Sequence, residues 1–312
     1  MFVRLEKVEG VGDVVVEIGP LRDGLGCSAW SFAAPRGARV SSRRRAAAKR
    51  RRPPGRPGRR GAAASPVPSV SILLPTRDRP DFLLEALECV RRQTHPELEL
   101  VLVRDGGAPL SEAAVAALDR LEFPTTLVEH DGEAEGAARS RNRGLERARG
   151  DAVAFLDDDD LWEPGHTAAL ARALDGDPDA DIVYSDVVIL NLETDGTRTI
   201  AREFDPGVFV RDGFIPPSAM AARRAAFERF GAFDDSFTYS EDWEWLIRVS
   251  RGGGKLRRVP GVTATIRIHA GGVSALQGPL LDARRRVLER LAERYALAPI
   301  EPKTFWEVAA SV

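Results

Sequence analysis

From residue 70 onward the chain alternates short apolar runs with segments whose apolar residues recur at helical spacing. Four apolar runs of strand length come first, at residues 70–75, 98–103, 125–129 and 152–156. Three helices are predicted between them, one opening at Pro80-Asp81 and ending near His95, and the others at residues 111–121 and 135–149. Strands and helices that alternate in this way favour an α/β fold with a parallel central sheet flanked by helices.

The second half continues this alternation less regularly. The pattern predicts helices at residues 163–174 and 223–230, a helix beginning at Ser240, and a last amphipathic helix at residues 280–297. It predicts strands at residues 182–190 and 256–268. Residues 191–215 mix turn residues with short apolar runs, so we expect an irregular excursion or a hairpin there.

Composition divides the chain into four parts. Residues 1–35 hold one predicted strand, residues 14–18, and are otherwise unassigned. Residues 36–68 are rich in Arg, Pro, Gly and Ala and have almost no large apolar side chain, which predicts a disordered linker. We therefore expect one large globular domain at residues 69–275 and a C-terminal helical extension at residues 276–312.

The net charge of −2 hides an asymmetry along the chain. Residues 36–60 contain 12 Lys and Arg and no acid, whereas residues 61–312 contain 30 basic and 42 acidic residues. A basic arm is thus joined to an acidic body. Arms of this kind bind nucleic acid or anionic lipid, but no aromatic residues are interleaved here for stacking on bases, so a nucleic-acid partner is not expected.

The two cysteines, Cys27 and Cys89, have no spacing typical of a disulfide framework or a zinc site, which favours a reducing compartment. Charges interrupt the N-terminal stretch where a signal peptide needs an apolar core, and the chain has no run of about 18 apolar residues that could span a membrane. We expect a cytoplasmic protein, at most peripheral to the inner face of a membrane.

The apolar run at residues 152–156 ends abruptly in four consecutive carboxylates, Asp157 to Asp160, followed by Leu161 and Trp162. Neighbouring carboxylates at a strand tip repel one another unless a cation or hydrogen-bond donors balance their charge. Their hard oxygens suit Mn²⁺ or Mg²⁺, which keep open positions for phosphate oxygens. The pattern indicates a site for a nucleotide diphosphate, and the alternative is a solvated acidic loop.

Two further polar residues follow predicted strands. Thr76 comes after the first strand and Asp105 after the second. Open parallel sheets bind ligands at the carboxyl ends of their strands, so we expect both residues to share one edge with the acid cluster. Each also has a structural alternative, because Thr76 could simply end a strand and Asp105 with Gly106-Gly107 is ordinary turn chemistry.

Three ordered blocks, at residues 70–107, 136–166 and 230–253, carry a resemblance to a known family. With them, the region from residue 70 to about residue 274 resembles the catalytic domain of glycosyltransferase family 2, which has the GT-A fold, a Rossmann-like fold for nucleotide-diphospho-sugar transferases. The resemblance implies an inverting, Mn²⁺- or Mg²⁺-dependent enzyme. Its donor would be a nucleotide-diphosphate sugar, with UDP expected as the nucleotide. Its acceptor would be a hydroxyl of a glycan, lipid-linked glycan or small molecule, in polysaccharide, glycolipid or glycoconjugate synthesis.

The resemblance also implies roles for matching residues. On the donor and nucleotide side these are Pro75, Thr76, Arg77, Asp105, Arg141, Asn142, Asp157 and Asp158. Asp159 is similar to the family's metal ligand, and His269 is a further candidate for metal or diphosphate contact. Asp242 falls on the family's general base, with Glu241 and Trp243 on the acceptor side, although acids at this place also cap helices. One departure is Arg104, where the family often carries another acid.

Two other functions fit parts of the pattern. A strand followed by paired aspartates also resembles a haloacid-dehalogenase phosphatase, but Asp160-Leu161-Trp162 does not match the residues expected after the second aspartate. Alternatively, the body could be a non-catalytic nucleotide-sugar-fold protein whose basic arm binds nucleic acid or a membrane. The salt dependence of nucleic-acid affinity separates that function from an enzyme.

Overall fold

The computed structural model describes residues 3–7, 13–18, 68–297, 299–303 and 307–308. The predicted linker at residues 36–68 lies outside this part of the chain except for its last residue, and so does Cys27. The described residues belong to one compact unit, which comprises residues 1–21 and 67–312. The predicted C-terminal extension is part of the same unit.

The described residues form eleven strands, numbered in chain order. They are β1 Val3–Lys7, β2 Asp13–Ile18, β3 Val70–Thr76, β4 Leu98–Asp105, β5 Thr125–His130, β6 Ala152–Phe155, β7 Leu161–Trp162, β8 Ile182–Asn191, β9 Thr197–Ile200, β10 Met220–Arg223 and β11 Leu256–Ile268.

Eight α-helices lie between and after these strands. They are α1 Pro80–Arg91, α2 Glu112–Leu118, α3 Ala137–Arg147, α4 His166–Gly176, α5 Pro206–Asp212, α6 Arg224–Phe230, α7 Glu241–Arg251 and α8 Gln277–Tyr295. Short 3-10 turns lie at Pro217–Ala219 and Val273–Ala275. No helix in the described ranges is both long enough and apolar enough to cross a bilayer.

The strands form a single sheet in the order β1-β2-β5-β4-β3-β6-β10-β8-β11-β7, with β9 paired to β8. At its centre β5, β4, β3 and β6 run parallel, and β8 and β11 run parallel to each other. Because β10 is antiparallel to both β6 and β8, these two groups point the same way. The predicted α/β fold with a mostly parallel central sheet is therefore confirmed, and the carboxyl ends of six strands lie at one edge.

The central strands β3, β4 and β6 are largely apolar and buried, because both faces of the sheet are covered there. Ile72 in β3 is fully buried and pairs with Leu100 on one side and Ala154 on the other. Helix α3 packs closely on β3 at Gly144, where an added Cβ would lie 2.6 Å from the Leu73 side chain. A glycine at this position lets the helix approach the sheet.

Four elements were not predicted from the sequence. Strand β10 is only four residues long, and its first three are buried, so it shows no alternation of apolar and polar residues. Strand β7 is two residues long, and helix α5 falls in the region expected to be irregular. Strand β1 was also missed. Short elements of this kind form through tertiary pairing and carry little local signal.

The N-terminal region is part of the sheet. Strand β2 pairs antiparallel with β5 over six residues, from Asp13 opposite His130 to Ile18 opposite Thr125, and β1 pairs with β2. The strand predicted at residues 14–18 is thus present. Apart from that strand the sequence left residues 1–35 unassigned, and in the structure β1 and β2 extend the sheet of the domain that begins at residue 69.

Candidate active site

A cavity of about 660 Å³ opens at the carboxyl ends of β3, β4 and β6. Its remaining walls come from residues 213–217, the N-terminal end of α7, the loop at residues 272–274 and helix α8. Most of the residues singled out from the sequence line it: Pro75, Thr76, Arg77, Asp105, Arg141, Asp157, Asp158, Asp159, Glu241, Asp242 and Trp243. Residues from distant parts of the chain therefore meet at the edge where parallel sheets bind ligands.

Asp158 and Asp159 form the acidic floor of this cavity. The Thr76 hydroxyl donates a 2.7 Å hydrogen bond to Asp158. Arg79 spans the pair, since its Nη1 lies 3.0 Å from Asp158 Oδ1 and 2.7 Å from Asp159 Oδ2. Burial raises the pKa of Asp158 to about 6, although Arg79 opposes that shift. A cation that approaches this floor would favour the ionised carboxylate.

Arg141 links the acid cluster to the start of α7. This buried guanidinium donates to Asp157 Oδ1 at 2.6 Å and to Glu241 Oε1. Burial raises the pKa of Glu241 to about 7, against the opposing effect of Arg141. One arginine therefore holds two carboxylates from α7 and from the tip of β6, so that the cavity keeps a net negative charge on this side.

Asp160 has a structural role. It is buried, and its carboxylate accepts hydrogen bonds from the Ser218 hydroxyl at 2.6 Å and from the backbone N–H of Arg267 at 2.9 Å. The same Ser218 hydroxyl accepts from the backbone N–H of Asp157 at 3.0 Å. Asp160 thus ties the acidic loop to β11 and to the turn before β10, and the four consecutive acids do not share one function.

Asp105 holds the loop that enters α3. Its two carboxylate oxygens accept the backbone N–H groups of Glu135 at 3.0 Å and Gly136 at 2.8 Å. Gly136 is the N-cap of α3 and has a φ of +92°, a conformation that favours glycine. Asp105 also lines the cavity, so the arrangement allows it to shape a nucleotide pocket while it positions the helix that carries Arg141.

Arg104, the departure from the family pattern, turns away from this cavity. Its guanidinium is buried and pairs with Glu129 at 2.9 Å and Asp131 at 2.5 Å. It also donates to the carbonyls of Gly106 and Gly107. Arg104 therefore stabilises the turn after β4 from the side that faces away from the cavity.

Asp242 is the second residue of α7, and it lines the cavity without a hydrogen bond from its side chain to any described residue. Its charge acts on Arg141 on one side and on Arg284 of α8 on the other. Neighbouring Trp243 is buried and donates its indole N–H to the carbonyl of Phe209 at 3.1 Å. Asp242 is thus a carboxylate that is placed in the cavity and left available.

Two residues singled out from the sequence lie outside the cavity lining. The Asn142 side chain makes two hydrogen bonds to the backbone of Phe233. Its Nδ2 donates to the Phe233 carbonyl at 2.9 Å and its Oδ1 accepts from the Phe233 N–H at 3.0 Å, so Asn142 anchors the loop before α7. His269 stands behind Asp159, with its Nε2 3.1 Å from Asp159 Oδ2 and its ring against Phe82. In this conformation Asn142 supports the site from outside, and His269 reaches it through Asp159.

The donor set at Asp159 fits a hard divalent ion. Among the described residues no group of three or more His, Cys, Asp or Glu side chains converges as a metal cage. Mg²⁺-type ions, however, are commonly bound through one or two carboxylates, with phosphate oxygens and water completing the shell. The Asp159 oxygen that lies 3.1 Å from His269 Nε2 also accepts from Arg79, so an ion bound here would share this carboxylate with both side chains. A site completed by a substrate diphosphate is consistent with these residues.

Sequence reasoning missed three contributors to the site. Arg79 lies only three residues beyond Thr76, so its place after a strand end could have identified it. Ser218 and Arg284 lie far away along the chain, in a proline-rich turn and on an amphipathic helix. Neither carried a local signal, because only the folded sheet and the docking of α8 bring them to the cavity.

Comparison with solved glycosyltransferases identifies the class of fold to which this chain belongs. A mannosyltransferase from Pyrobaculum calidifontis, solved with GDP-Man and Mn²⁺, superposes with a TM-score of 0.56 at 22% identity, covering 74% of this chain and 66% of that one. Residues 1–349 of TarS from S. aureus, solved with UDP-GlcNAc, superpose with a TM-score of 0.59 at 15% identity, covering 74% and 68%. These neighbours show that the fold is GT-A.

Sequence comparison then gives the family. The model for "Glycosyl transferase family 2" matches residues 71–201. An uncharacterized glycosyltransferase of Bacillus subtilis, YwdF, is 30% identical over 247 residues, which cover 76% of this chain and 87% of the relative. The chain belongs to glycosyltransferase family 2. The expectation of an enzyme of this family is confirmed, and the alternatives of a haloacid-dehalogenase phosphatase or a non-catalytic body are set aside.

Proposed function

We propose that this glycosyltransferase moves a sugar from a nucleotide-diphosphate sugar to an acceptor hydroxyl with inversion, in a metal-dependent reaction. The observation that carries the proposal is that a carboxylate pair on one strand tip, Asp158 and Asp159, and an available carboxylate on another element, Asp242, line the same cavity. Departure of a diphosphate and deprotonation of a hydroxyl require two such groups at separate places.

On the donor side, the ribose and base would lie along Pro75, Thr76 and Asp105, with Asp158 near the ribose. Asp159 and His269 would hold Mn²⁺ or Mg²⁺, which when bound offsets the charge that develops on the leaving diphosphate. Arg79 would add a second cation near the phosphates, because it already lies against both carboxylates. Arg141 would hold Asp157 and the start of α7 at a fixed distance from each other.

On the acceptor side, Asp242 would take the proton of the attacking hydroxyl. The bond from the anomeric carbon to the acceptor oxygen forms as the bond to the diphosphate oxygen breaks, and attack from the opposite face inverts that carbon. An acceptor hydroxyl has a high pKa, so it becomes nucleophilic only while its proton is being removed. The N-terminal end of α7 fixes the position of Asp242, and the buried Trp243 ring beside it forms part of the cavity wall.

The nucleotide base stays open between uridine and guanosine. The neighbouring structures hold GDP-Man in one case and UDP-GlcNAc in the other. We propose UDP because Asp105 lies where the family's base-binding aspartate is expected, although Arg104 replaces its acidic neighbour. The proposed location, the cytoplasm or the inner face of a membrane, is a prediction from composition.

A screen of nucleotide-sugar hydrolysis tests this function. Purified protein is incubated with UDP-, GDP- and dTDP-sugars in the presence of Mn²⁺ or of EDTA, and the released nucleotide is measured. We expect release from UDP-sugars that EDTA abolishes. Release that is unaffected by EDTA would refute the metal dependence, and preference for GDP-sugars would refute the assignment of the base.

A further inference from the structure

The cavity wall opposite the acid cluster contains a buried arginine that has no carboxylate partner. Arg284 of α8 is 5% exposed and lines the cavity. The four other arginines of the lining, Arg77, Arg79, Arg141 and Arg267, are each paired with at least one carboxylate. Arg284 has no acidic oxygen within ion-pair distance among the described residues, and the charges of Asp242, Asp212 and Glu307 act on it only from farther away.

Only part of this guanidinium is used by the fold. Its Nη1 donates to the backbone carbonyls of Asp212, at 3.3 Å, and Lys303. Its plane lies against Trp243, with the guanidinium carbon 5.0 Å from the ring centroid. Within the described chain, Nε has no hydrogen-bond partner although it is buried, and no protein group accepts from Nη2. The fold therefore fixes the group by one nitrogen and leaves one edge free.

The free edge is the one that binds oxyanions elsewhere in this protein. Arg258 uses Nε and Nη2 to hold the two oxygens of Asp186, at 2.6 and 2.9 Å. Arg248 uses the same two atoms on Glu244. A planar N–H edge matches carboxylate and phosphate geometry in two parallel hydrogen bonds. An unpaired edge of this kind, held rigid in a cavity, is suited to an anion from outside.

Residue 213, which packs against this edge, is a glycine. Gly213 ends α5 with a φ of +57° and lines the cavity, and a Cβ on it would lie 2.9 Å from Nη2 of Arg284. The surrounding wall is apolar, formed by Ile215, Trp243 and Leu280. Burial lowers the pKa of the Arg284 guanidinium, partly offset by the charge of Asp242. A bound anion would offset the cost of burying this positive charge.

We propose that Arg284 binds a phosphate or carboxylate group of the acceptor, beside the hydroxyl that Asp242 deprotonates. This inference rests on the proposed function for the identity of the ligand as an acceptor. It assigns to the enzyme an anionic acceptor class, whose charged group docks on α8.

Direct binding of three small probes with a common skeleton tests the inference: glycerol 3-phosphate, glycerate and neutral glycerol. Ligand-observed NMR titrations are run without donor on the wild-type chain and on Arg284→Gln. We expect the wild type to bind one or both anions more tightly than glycerol, and Arg284→Gln to weaken that binding about 10- to 100-fold, the usual worth of hydrogen bonds to a charged group. The anion whose affinity falls more in Arg284→Gln identifies the charged group of the acceptor as phosphate or carboxylate.

Two further variants keep the result decisive. Arg286→Gln removes an exposed charge from the same helix and should leave anion binding unchanged. If Arg284→Gln does not fold, Arg284→Lys retains a positive charge but lacks the planar N–H edge, and it should also weaken anion binding. Anion binding that is unchanged in these site variants, or a wild type that does not distinguish the anions from glycerol, would overturn the inference. Since no donor is present, this outcome is independent of whether the chain proves to be a metal-dependent transferase.

Discussion

Replacing Asp242 with asparagine separates a general base from a helix-capping acid. In the folded chain the Asp242 carboxylate makes no hydrogen bond to a described side chain or backbone group, so asparagine of nearly equal size breaks none. What it loses is the attraction between a negative charge and the N-terminal end of α7, about 0.3–1 kcal/mol, and part of the attraction to Arg141 and Arg284. We expect the melting temperature to fall by no more than a few degrees.

The expected effect on catalysis is much larger. A positioned base contributes roughly 10²- to 10⁴-fold to turnover, equivalent to about 3–5 kcal/mol in the activation barrier. Nucleotide affinity should stay near the wild-type value, because Asp242 lies on the wall away from the proposed ribose and base contacts. The assay measures nucleotide affinity by calorimetry, melting temperature and sugar transfer on one preparation of Asp242→Asn, with a donor and an acceptor found by screening.

Two matched variants sharpen the test. Asp186 on β8 is another buried carboxylate, but both its oxygens are held by Arg258 and it does not line the cavity. Asp186→Asn should therefore lower stability and leave turnover per folded molecule unchanged. Glu241→Gln should disturb the ion pair with Arg141 and lower nucleotide affinity along with turnover. Near-normal turnover of Asp242→Asn would by itself refute the assignment.

Three other predictions follow from the same contacts. Asp159→Ala should abolish the Mn²⁺ dependence of nucleotide binding in calorimetry while the chain stays folded, and a variant that keeps the wild-type metal dependence would show that the metal site is misplaced. Because burial raises the pKa of Glu241 from 4.5 to about 7, the native state retains a proton that the unfolded chain releases. This group's contribution to the free energy of unfolding is therefore greatest below pH 4.5 and is lost as the pH rises to about 7. The wild-type free energy relative to Glu241→Gln should fall by up to about 3 kcal/mol over that range in urea titrations, and a rise would contradict the pKa. Deleting residues 1–65 should lower the melting temperature by several degrees, because it strips β2 from the edge of β5, whereas deleting only residues 36–60 should not.

Much of the fold could be predicted from local pattern. The central strands β3, β4, β5 and β6 are buried on both faces, so each is a short apolar run that ends at a turn residue. Strand β11 was predicted with its observed bounds. The parallel arrangement followed from the alternation of strands and helices, and the position of a site at the strand ends followed from the arrangement. These features depend on nearest neighbours in sequence, where the signal is strong.

Features that depend on distant pairing could not be predicted in this way. Strand β10 exists because β6 and β8 flank it, and β2 belongs to the domain because β5 offers it an edge. The four adjacent aspartates could not be distinguished from the sequence, yet the fold gives them different partners. Asp160 is hydrogen-bonded to Ser218 and to β11, and Asp157 is paired with Arg141. Asp158 and Asp159 face the cavity together with Arg79. Which carboxylate is satisfied by the protein and which remains available is set by partners up to 110 residues away in the chain.

Asp242 and Arg284 show most clearly which features follow from local sequence and which follow from tertiary packing. The sequence determined that Asp242 begins a helix, since the acids after Ser240 precede an apolar helical face. It did not determine that Arg284, on the last predicted helix, would dock beside Trp243 with one edge unpaired. That edge is free because Nη1 alone is fixed by two backbone carbonyls, a consequence of where α8 and residue 303 lie on α5. Charges are decided by composition, but whether a charge is paired is decided by the packing of elements that are far apart in sequence.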